Sequence, residues 1–271
     1  MNPNKALWEK GDFTKIADTM RESSAALVEA LGITNGMHVL DVGCGDGDTA
    51  IPAAKLGATV TGVDIAHNLV EAGNRRAAAE GVADRCKIYE GDVMDLNQLP
   101  DAAFDLTISI FGAMFAPRPL DTAKELVRVT RKGGRIVMGN WIPGDPTLVA
   151  QILKISSAYT PPPPEGFVSP MLWGVEEEVI KRFESVGIAR EQISFSRETF
   201  TFRADYAPSV FVNNFKTYYG PTMNAFEAAA KNDKADALQQ ELETLFNSQN
   251  KSGNANSTSI PATYLKVTVQ C

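Results

Sequence analysis

The run Val39-Leu40-Asp41-Val42-Gly43-Cys44-Gly45-Asp46-Gly47 decides the reading of this chain. Its first four residues are short, β-rich and apolar enough for a strand buried on both faces, and glycines spaced GxGxG follow at once. The carboxyl end of the first strand is where an open α/β sheet takes its ligand. Glycine there permits positive φ and lets a nucleotide-like ligand approach the backbone. The helix expected next offers unsatisfied N–H groups and a partial positive charge to a carboxylate.

Working outward, further short runs rich in Val and Ile occupy residues 59–64, 86–91, 104–110 and 135–140, each bounded by Gly, Pro or Asp. Between them lie amphipathic stretches. Leu120, Ala123, Leu126, Val127 and Thr130 follow helical spacing, and Lys132-Gly133-Gly134 is expected to end that helix. Alternating β and α units imply an α/β protein with a doubly wound, mostly parallel sheet. Ahead of it, residues 12–31 read as one helix carrying Ile16, Met20, Leu27, Val28 and Leu31. Beyond it, helices are expected at 147–159 and 175–185, a strand at 193–203, a helical region at 208–247 broken at Tyr219-Gly220-Pro221, and a last strand at 262–269. The proline run 161–164 cannot be helix interior.

Composition narrows the function classes. The 271 residues are 44% apolar and 22% charged, ordinary for a globular chain with one large domain. A net charge of −7 argues against binding nucleic acid or anionic membrane, which needs a surplus of Lys and Arg. Cys44, Cys86 and Cys271 are far apart and form no CxxC pair, so no disulfide framework or metal site is expected. No signal-like h-region opens the chain and no run reaches ~18 apolar residues, so a cytoplasmic protein is expected.

Two acids join the glycines. Asp64 ends the second strand, where a carboxylate can accept from both hydroxyls of a ribose. Gly91-Asp92-Val93 ends the third, where Asp92 suits an exocyclic amine of adenine and the Val93 N–H a ring nitrogen. S-adenosylmethionine (SAM) matches this set, since its methionine half carries a carboxylate, an ammonium and a sulfonium, and Asp41 and Asp46 suit the cations. The chain resembles the class I SAM-dependent methyltransferases, and more closely the bacterial small-molecule branch called type 11, or ubiquinone/menaquinone-methyltransferase-like. The resemblance covers essentially the whole chain. It is carried by the glycine motif, Asp64, Gly91-Asp92-Val93, the stretch from Phe104 to Pro117, Leu126 to Val129, Lys132-Gly133-Gly134 and Gly139-Asn140-Trp141. Lys132 departs from the proline usual before the paired glycines, which affects only a turn.

The resemblance implies SAM as cofactor and a seat made by Asp41, Gly43, Cys44, Gly45, Asp46, Gly47, Asp64, Ile65, Asp92, Val93, Ser109, Ile110 and Phe111. It implies that the last two strands pair antiparallel to complete a seven-stranded Rossmann-like sheet. Residues 1–36 then form a helical cap, and 142–175 with 204–258 a helical lid over the acceptor. The lid stretches hold the exposed-looking aromatics Tyr159, Phe167, Trp173, Tyr206, Phe211, Phe215, Tyr218 and Tyr219, which suggests a mostly apolar pocket. Asn140, Trp141 and Trp173 are candidates for touching the acceptor, and Tyr159, Tyr206, Tyr218 and Tyr219 are the weak catalytic candidates. His38 and His67 read as a structural and a surface residue.

Three other readings compete. A dinucleotide-binding oxidoreductase usually spaces its glycines GxGxxG. A nucleic-acid methyltransferase typically ends its fourth strand in Asn/Asp-Pro-Pro-aromatic, whereas this chain has Ser109-Ile110-Phe111-Gly112. A non-catalytic SAM-binding module is the third, and the intact cofactor acids speak against such degeneration. The expectation is therefore a methyltransferase, monomer or homodimer, acting on a small molecule with neither nucleic acid nor membrane as partner. Methyl transfer from a sulfonium needs alignment and water exclusion more than a base.

Overall fold

The computed structural model describes residues 2–271. Its strands are β1 (His38–Val42), β2 (Thr59–Asp64), β3 (Cys86–Glu90), β4 (Phe104–Ile110), β5 (Thr130–Trp141), β6 (Ile193–Ala204) and β7 (Thr258–Gln270). They form one sheet in the order β3-β2-β1-β4-β5-β7-β6. Neighbours from β3 through β5 run parallel, and β7 is antiparallel to both β5 and β6. Val39, Leu40, Val42, Leu106 and Ile108 are fully buried in the two central strands, which explains their continuous apolar runs.

The helices are α1 (Lys5–Glu9), α2 (Thr14–Ala17), α3 (Arg21–Glu29), α4 (Ala50–Lys55), α5 (His67–Ala79), α6 (Pro119–Val129), α7 (Leu148–Ser157), α8 (Glu176–Glu184), α9 (Pro208–Tyr218), α10 (Gly220–Ala230) and α11 (Ala235–Gln249). Right-handed crossovers put α4 and α5 on one face of the sheet and α6 on the other. α3 packs on α4, and α8 packs on α6. Pro119 pre-sets the first turn of α6, and Thr122, Ala123, Leu126 and Val129 form its buried stripe. α7, α9, α10 and α11 pack together into a helical cluster against β7, with Phe211, Phe215 and Phe246 edge-to-face inside it.

Several expectations are corrected. Residues 12–31 are two helices, because Thr19 and Met20 donate back three residues and the Thr19 hydroxyl bonds the Ile16 carbonyl, tightening the chain into a break. Lys132-Gly133-Gly134 lies within β5, where the Gly133 N–H donates to Cys271 and the Cys271 N–H to Gly134. The lid aromatics Trp173, Phe211, Phe215 and Tyr219 are buried, and Phe167 is the one at 55% exposure. Helical spacing of aromatics marked core here, not surface.

Strand order reverses between β1 and β4: the chain steps outward through β2 and β3 on one side and through β5 on the other. The connections that leave β1 and β4 therefore part in opposite directions above a crevice, the place where such sheets bind ligands. The core that holds these strands is testable. Leu40→Ala, in β1, is expected to cost about 2–5 kcal/mol in urea unfolding, whereas Leu120→Ala, 54% exposed on α6, should stay within about 0.5 kcal/mol. Equal effects would contradict this packing.

Candidate active site

The crevice is a cleft of about 940 Å³ counted to its open mouth. Its floor is built by two strand ends meeting at their backbones. A β-carbon on Gly43 would lie 2.6 Å from the Gly112 Cα, and one on Gly112 would lie 2.4 Å from the Gly43 carbonyl oxygen. Ser109, buried at the end of β4, clamps the junction: its hydroxyl donates to the Val42 carbonyl at 2.8 Å and accepts from the Ala113 N–H at 2.8 Å. Gly45 differs in kind. It sits at φ +55° with nothing nearer to its β-carbon position than a Phe13 carbon at 3.9 Å, so the requirement there is conformational.

Asp64 lines the cleft from the end of β2 and is 7% exposed. One oxygen accepts from the Gly45 N–H at 2.8 Å and the other from the Ala66 N–H at 2.9 Å. Burial pushes its carboxyl up, opposed by N–H donors of Ala66, Gly45 and Ile65. Each oxygen keeps a further lone pair for a donor in the cleft. Asp92 sits on the same wall, past β3, with one oxygen accepting from the Met94 N–H at 3.0 Å.

The remaining acids are committed elsewhere. Asp46 lines the cleft but is held by the Arg21 guanidinium in a two-pronged pair, one arm at 2.9 Å. The same guanidinium reaches Asp48 at 2.6 Å, and Arg76 lies 3.8–3.9 Å from both carboxylates. Asp46 is therefore not the free counter-charge that its position in the motif implied. Asp41 lies behind the cleft lining and accepts from the hydroxyl of Thr49, which does line it, with its other oxygen unpartnered.

At the end of β4, Phe111 adopts φ +59°, a left-handed conformation costing about 1–3 kcal/mol for a bulky residue. Its ring stacks on Trp141 with centroids 3.7 Å apart and planes 8° apart, and Phe200 and Tyr264 meet it edge-on. The aromatic contacts offset the strain. The opposite wall comes from the N-terminus. Trp8 and Phe13 line the cleft, with Trp8 edge-on to Phe115 at 5.0 Å and to Phe13 at 6.0 Å.

Of the residues read from the sequence, Gly43, Cys44, Gly45, Asp46, Asp64, Ile65, Asp92, Val93, Ile110 and Phe111 come together around this cleft. Asp41, Gly47 and Ser109 lie behind the lining. Trp141 and Tyr219 line a second cavity beside it. Asn140 is buried on the opposite side of β5 from Trp141, as strand alternation requires, with both amide atoms unpartnered. Trp173 is buried under Arg182, whose guanidinium lies 4.5 Å from its ring centre. Tyr159 donates to Glu241 away from the cleft, Tyr206 accepts from Asn214 at 3.0 Å, and Tyr218 is half-buried with its carbonyl against Gly11. None of these three tyrosines lines the cleft. His67 is exposed and 3.0 Å from Glu90. Sequence reasoning missed Trp8, Phe13, Met20, Ser24, Asp48 and Gly112. Only the two aromatics in a polar N-terminal segment offered a signal. Among the described residues, no group of His, Cys, Asp and Glu is arranged to hold a metal.

Two outcomes follow from this geometry. Gly43→Ala should cost several kcal/mol through the Gly112 collision, and Gly45→Ala about 1–2 kcal/mol from its left-handed φ alone; chemical denaturation separates them, and equal costs would contradict the backbone contact. Burial holds the Asp41 carboxyl up at about 7, above its ordinary 3.8, with Thr49 opposing and Asp48 and Asp64 reinforcing. Its proton is retained on folding, so this group's stabilisation is present below pH 4 and lost as pH rises through 7, by roughly 4 kcal/mol. Asp41→Asn removes that loss. Its melting temperature minus the wild-type value should grow from pH 4.5 to pH 8, and a constant difference would contradict the shift.

Comparison with known proteins gives this architecture a family. The methyltransferase domain matches residues 40–138. An uncharacterized protein of Mycobacterium tuberculosis is 33% identical over 231 residues, 84% of this chain and 80% of that protein. The sterol 4-C-methyltransferase strm-1 of Caenorhabditis elegans is 33% identical over 129 residues, 48% of this chain and 38% of its own length. Among solved structures, the Haemonchus contortus phosphoethanolamine N-methyltransferase 2, in complex with phosphomonomethylethanolamine and S-adenosylhomocysteine, has the same fold. Its TM-score is 0.56 at 16% identity, over 92% of this chain and 52% of that one. With its glycine turn, reversed strand order and antiparallel seventh strand, the chain belongs to the class I SAM-dependent methyltransferases.

Proposed function

We propose that the chain transfers the methyl group of SAM to a small-molecule acceptor, with Gly43 to Asp46, Asp64, Ile65, Asp92, Val93, Ile110 and Phe111 forming the cofactor seat. The observation that carries this is Asp64, a buried carboxylate that lines the cleft and is fixed by the backbone N–H groups of Gly45 and Ala66. A rigid acceptor pair of that kind suits two neighbouring hydroxyls of a ribose. Gly45, open on its cleft side, leaves room for a ligand against the backbone.

SAM supplies a methyl group on a sulfonium, which departs as a neutral thioether. The protein's share is alignment, worth up to about 7–11 kcal/mol, and water exclusion by Trp8, Phe13 and Phe115 along the cleft wall. Among the described residues, the titratable side chains lining the cleft are Cys44, Asp46, Asp48, Asp64 and Asp92, with neither His, Lys nor Tyr among them. This favours positioning over a dedicated base. The helical cluster α7, α9, α10 and α11, drawn from both 142–175 and 204–258, is read as the lid, and α1 to α3 as the cap. The sterol relative and the charge of −7 support a small acceptor over a nucleic acid. We place the chain in the type 11, ubiquinone/menaquinone-methyltransferase-like branch on its motifs, and read it as cytoplasmic and monomeric or dimeric.

Asp64→Ala should weaken S-adenosylhomocysteine binding at least tenfold in calorimetry, since a charged hydrogen-bond acceptor is lost. In a labelled-methyl assay on a metabolite extract, it should also abolish the wild-type products. Equal labelling by both proteins would overturn the seat.

A further inference from the structure

Beside the cofactor cleft lies a second, smaller cavity, walled chiefly by Phe13, Met20, Trp141, Ile152, Phe215 and Tyr219. Three observations connect the two spaces. Phe13 and Met20 line both. Phe111 lines the cleft while its stacking partner Trp141 lines the cavity. The N-terminal segment that carries Phe13 docks backbone to backbone on the α9–α10 junction: a β-carbon on Gly11 would lie 2.1 Å from the Tyr218 carbonyl, and one on Gly220 2.2 Å from that of Leu7.

The chemistry of the wall is one-sided. Among the described residues no charged side chain lines the cavity, and the side-chain polar atoms of its wall belong to Trp141 and Tyr219. Tyr219 is 9% exposed, and its hydroxyl makes no hydrogen bond among the described residues. Burial alone pushes that phenol above its usual range, so it stays protonated and able to donate. An ionised group entering here would shed its hydration and meet no counter-charge, at a cost of several kcal/mol. Aromatic faces instead offer a large apolar area to a neutral body.

We propose that this cavity is the acceptor pocket and that it takes an uncharged, predominantly apolar molecule bearing one polar group for Tyr219. The assignment rests on the methyltransferase reading for its reaction, but the binding preference belongs to the cavity alone. Phe13 and Met20 border both spaces, so the acceptor atom reaches past them into direct contact with the methyl group in the cleft, and the sulfur leaves as a neutral thioether. Tyr219 is here a positioning residue that orients the acceptor through its hydroxyl, and Trp141 supplies the stacking wall.

The test uses 2-naphthol and 2-naphthoate, similar in shape but neutral and anionic respectively at neutral pH, titrated calorimetrically into the whole protein with and without S-adenosylhomocysteine. Naphthol should bind at least ~10-fold tighter than naphthoate, the equivalent of about 1.4 kcal/mol. Leu153→Trp fills the cavity from a half-buried position on its wall and should abolish naphthol binding while S-adenosylhomocysteine binds as in wild type. Val149→Phe serves as the second filling variant if the first loses its thermal transition. Tyr219→Phe should weaken naphthol about 2–10-fold, the loss of one hydrogen bond. Naphthoate binding as tightly as naphthol, or naphthol binding untouched by a folded filling variant, would overturn the assignment. Absence of S-adenosylhomocysteine binding would instead remove the methyltransferase reading, and naphthol titrated into the protein alone would still decide the cavity.

Discussion

The contact between the Gly43 and Gly112 backbones is the constraint on which the site depends. It brings the ends of β1 and β4 together with no space for a β-carbon on either side, and Ser109 pins the junction from below. Because the two strand ends meet there, the chain after β4 must turn sharply. Phe111 absorbs that turn in a left-handed conformation. Its ring is thereby delivered onto Trp141, and one aromatic pair becomes the shared wall of two spaces. Strain of this size persists only where surrounding packing over-determines it, and the edge contacts of Phe200 and Tyr264 meet that condition.

Electrostatics then decides which acid remains for a ligand. The glycine loop and its neighbours place Asp41, Asp46, Asp48 and Asp64 close together, an arrangement that repels itself unless neutralised. Arg21, from the N-terminal helices, grips Asp46 and Asp48, and Thr49 satisfies one oxygen of Asp41. Of the four, Asp64 lines the cleft without a side-chain cation on it, its oxygens held by the backbone N–H groups of Gly45 and Ala66. The N-terminal helices therefore meet the cleft in two ways. They neutralise the loop through Arg21 and line the cleft through Phe13 and the preceding Trp8. Displacing them would leave the carboxylates of Asp46 and Asp48 without that partner, so these helices and the loop are coupled by charge as well as by packing.

The parallel half of the sheet was legible because buried strands write themselves as short Val- and Ile-rich runs, and β1 to β4 begin and end within a residue or so of where those runs do. The glycine loop and the acids after β2 and β3 were legible for the same reason, being fixed by position relative to a strand end. What failed were features set by distant contacts. α1 and α2 are five and four residues long, too short for a 3.6-residue period to register. Arg21 finds Asp46 only through the fold. Asn140 and Trp141 are adjacent in sequence and were treated alike, yet strand alternation sends one away from the cavity and the other into its wall. The aromatics of the C-terminal helices carried no mark to separate core from pocket. Phe246 is core, whereas Phe215 and Tyr219, on the same helical cluster, reach the cavity.

The central claim is that Asp64 receives a ribose in the crevice between β1 and β4. The most direct measurement is a crystal structure of the S-adenosylhomocysteine complex. The account predicts both ribose hydroxyls donating to the Asp64 carboxylate, with adenine beside Asp92 and Val93 and the amino-acid end over Gly43 and Gly45. A nucleoside found elsewhere, with Asp64 still bonded only to the N–H groups of Gly45 and Ala66, would contradict it.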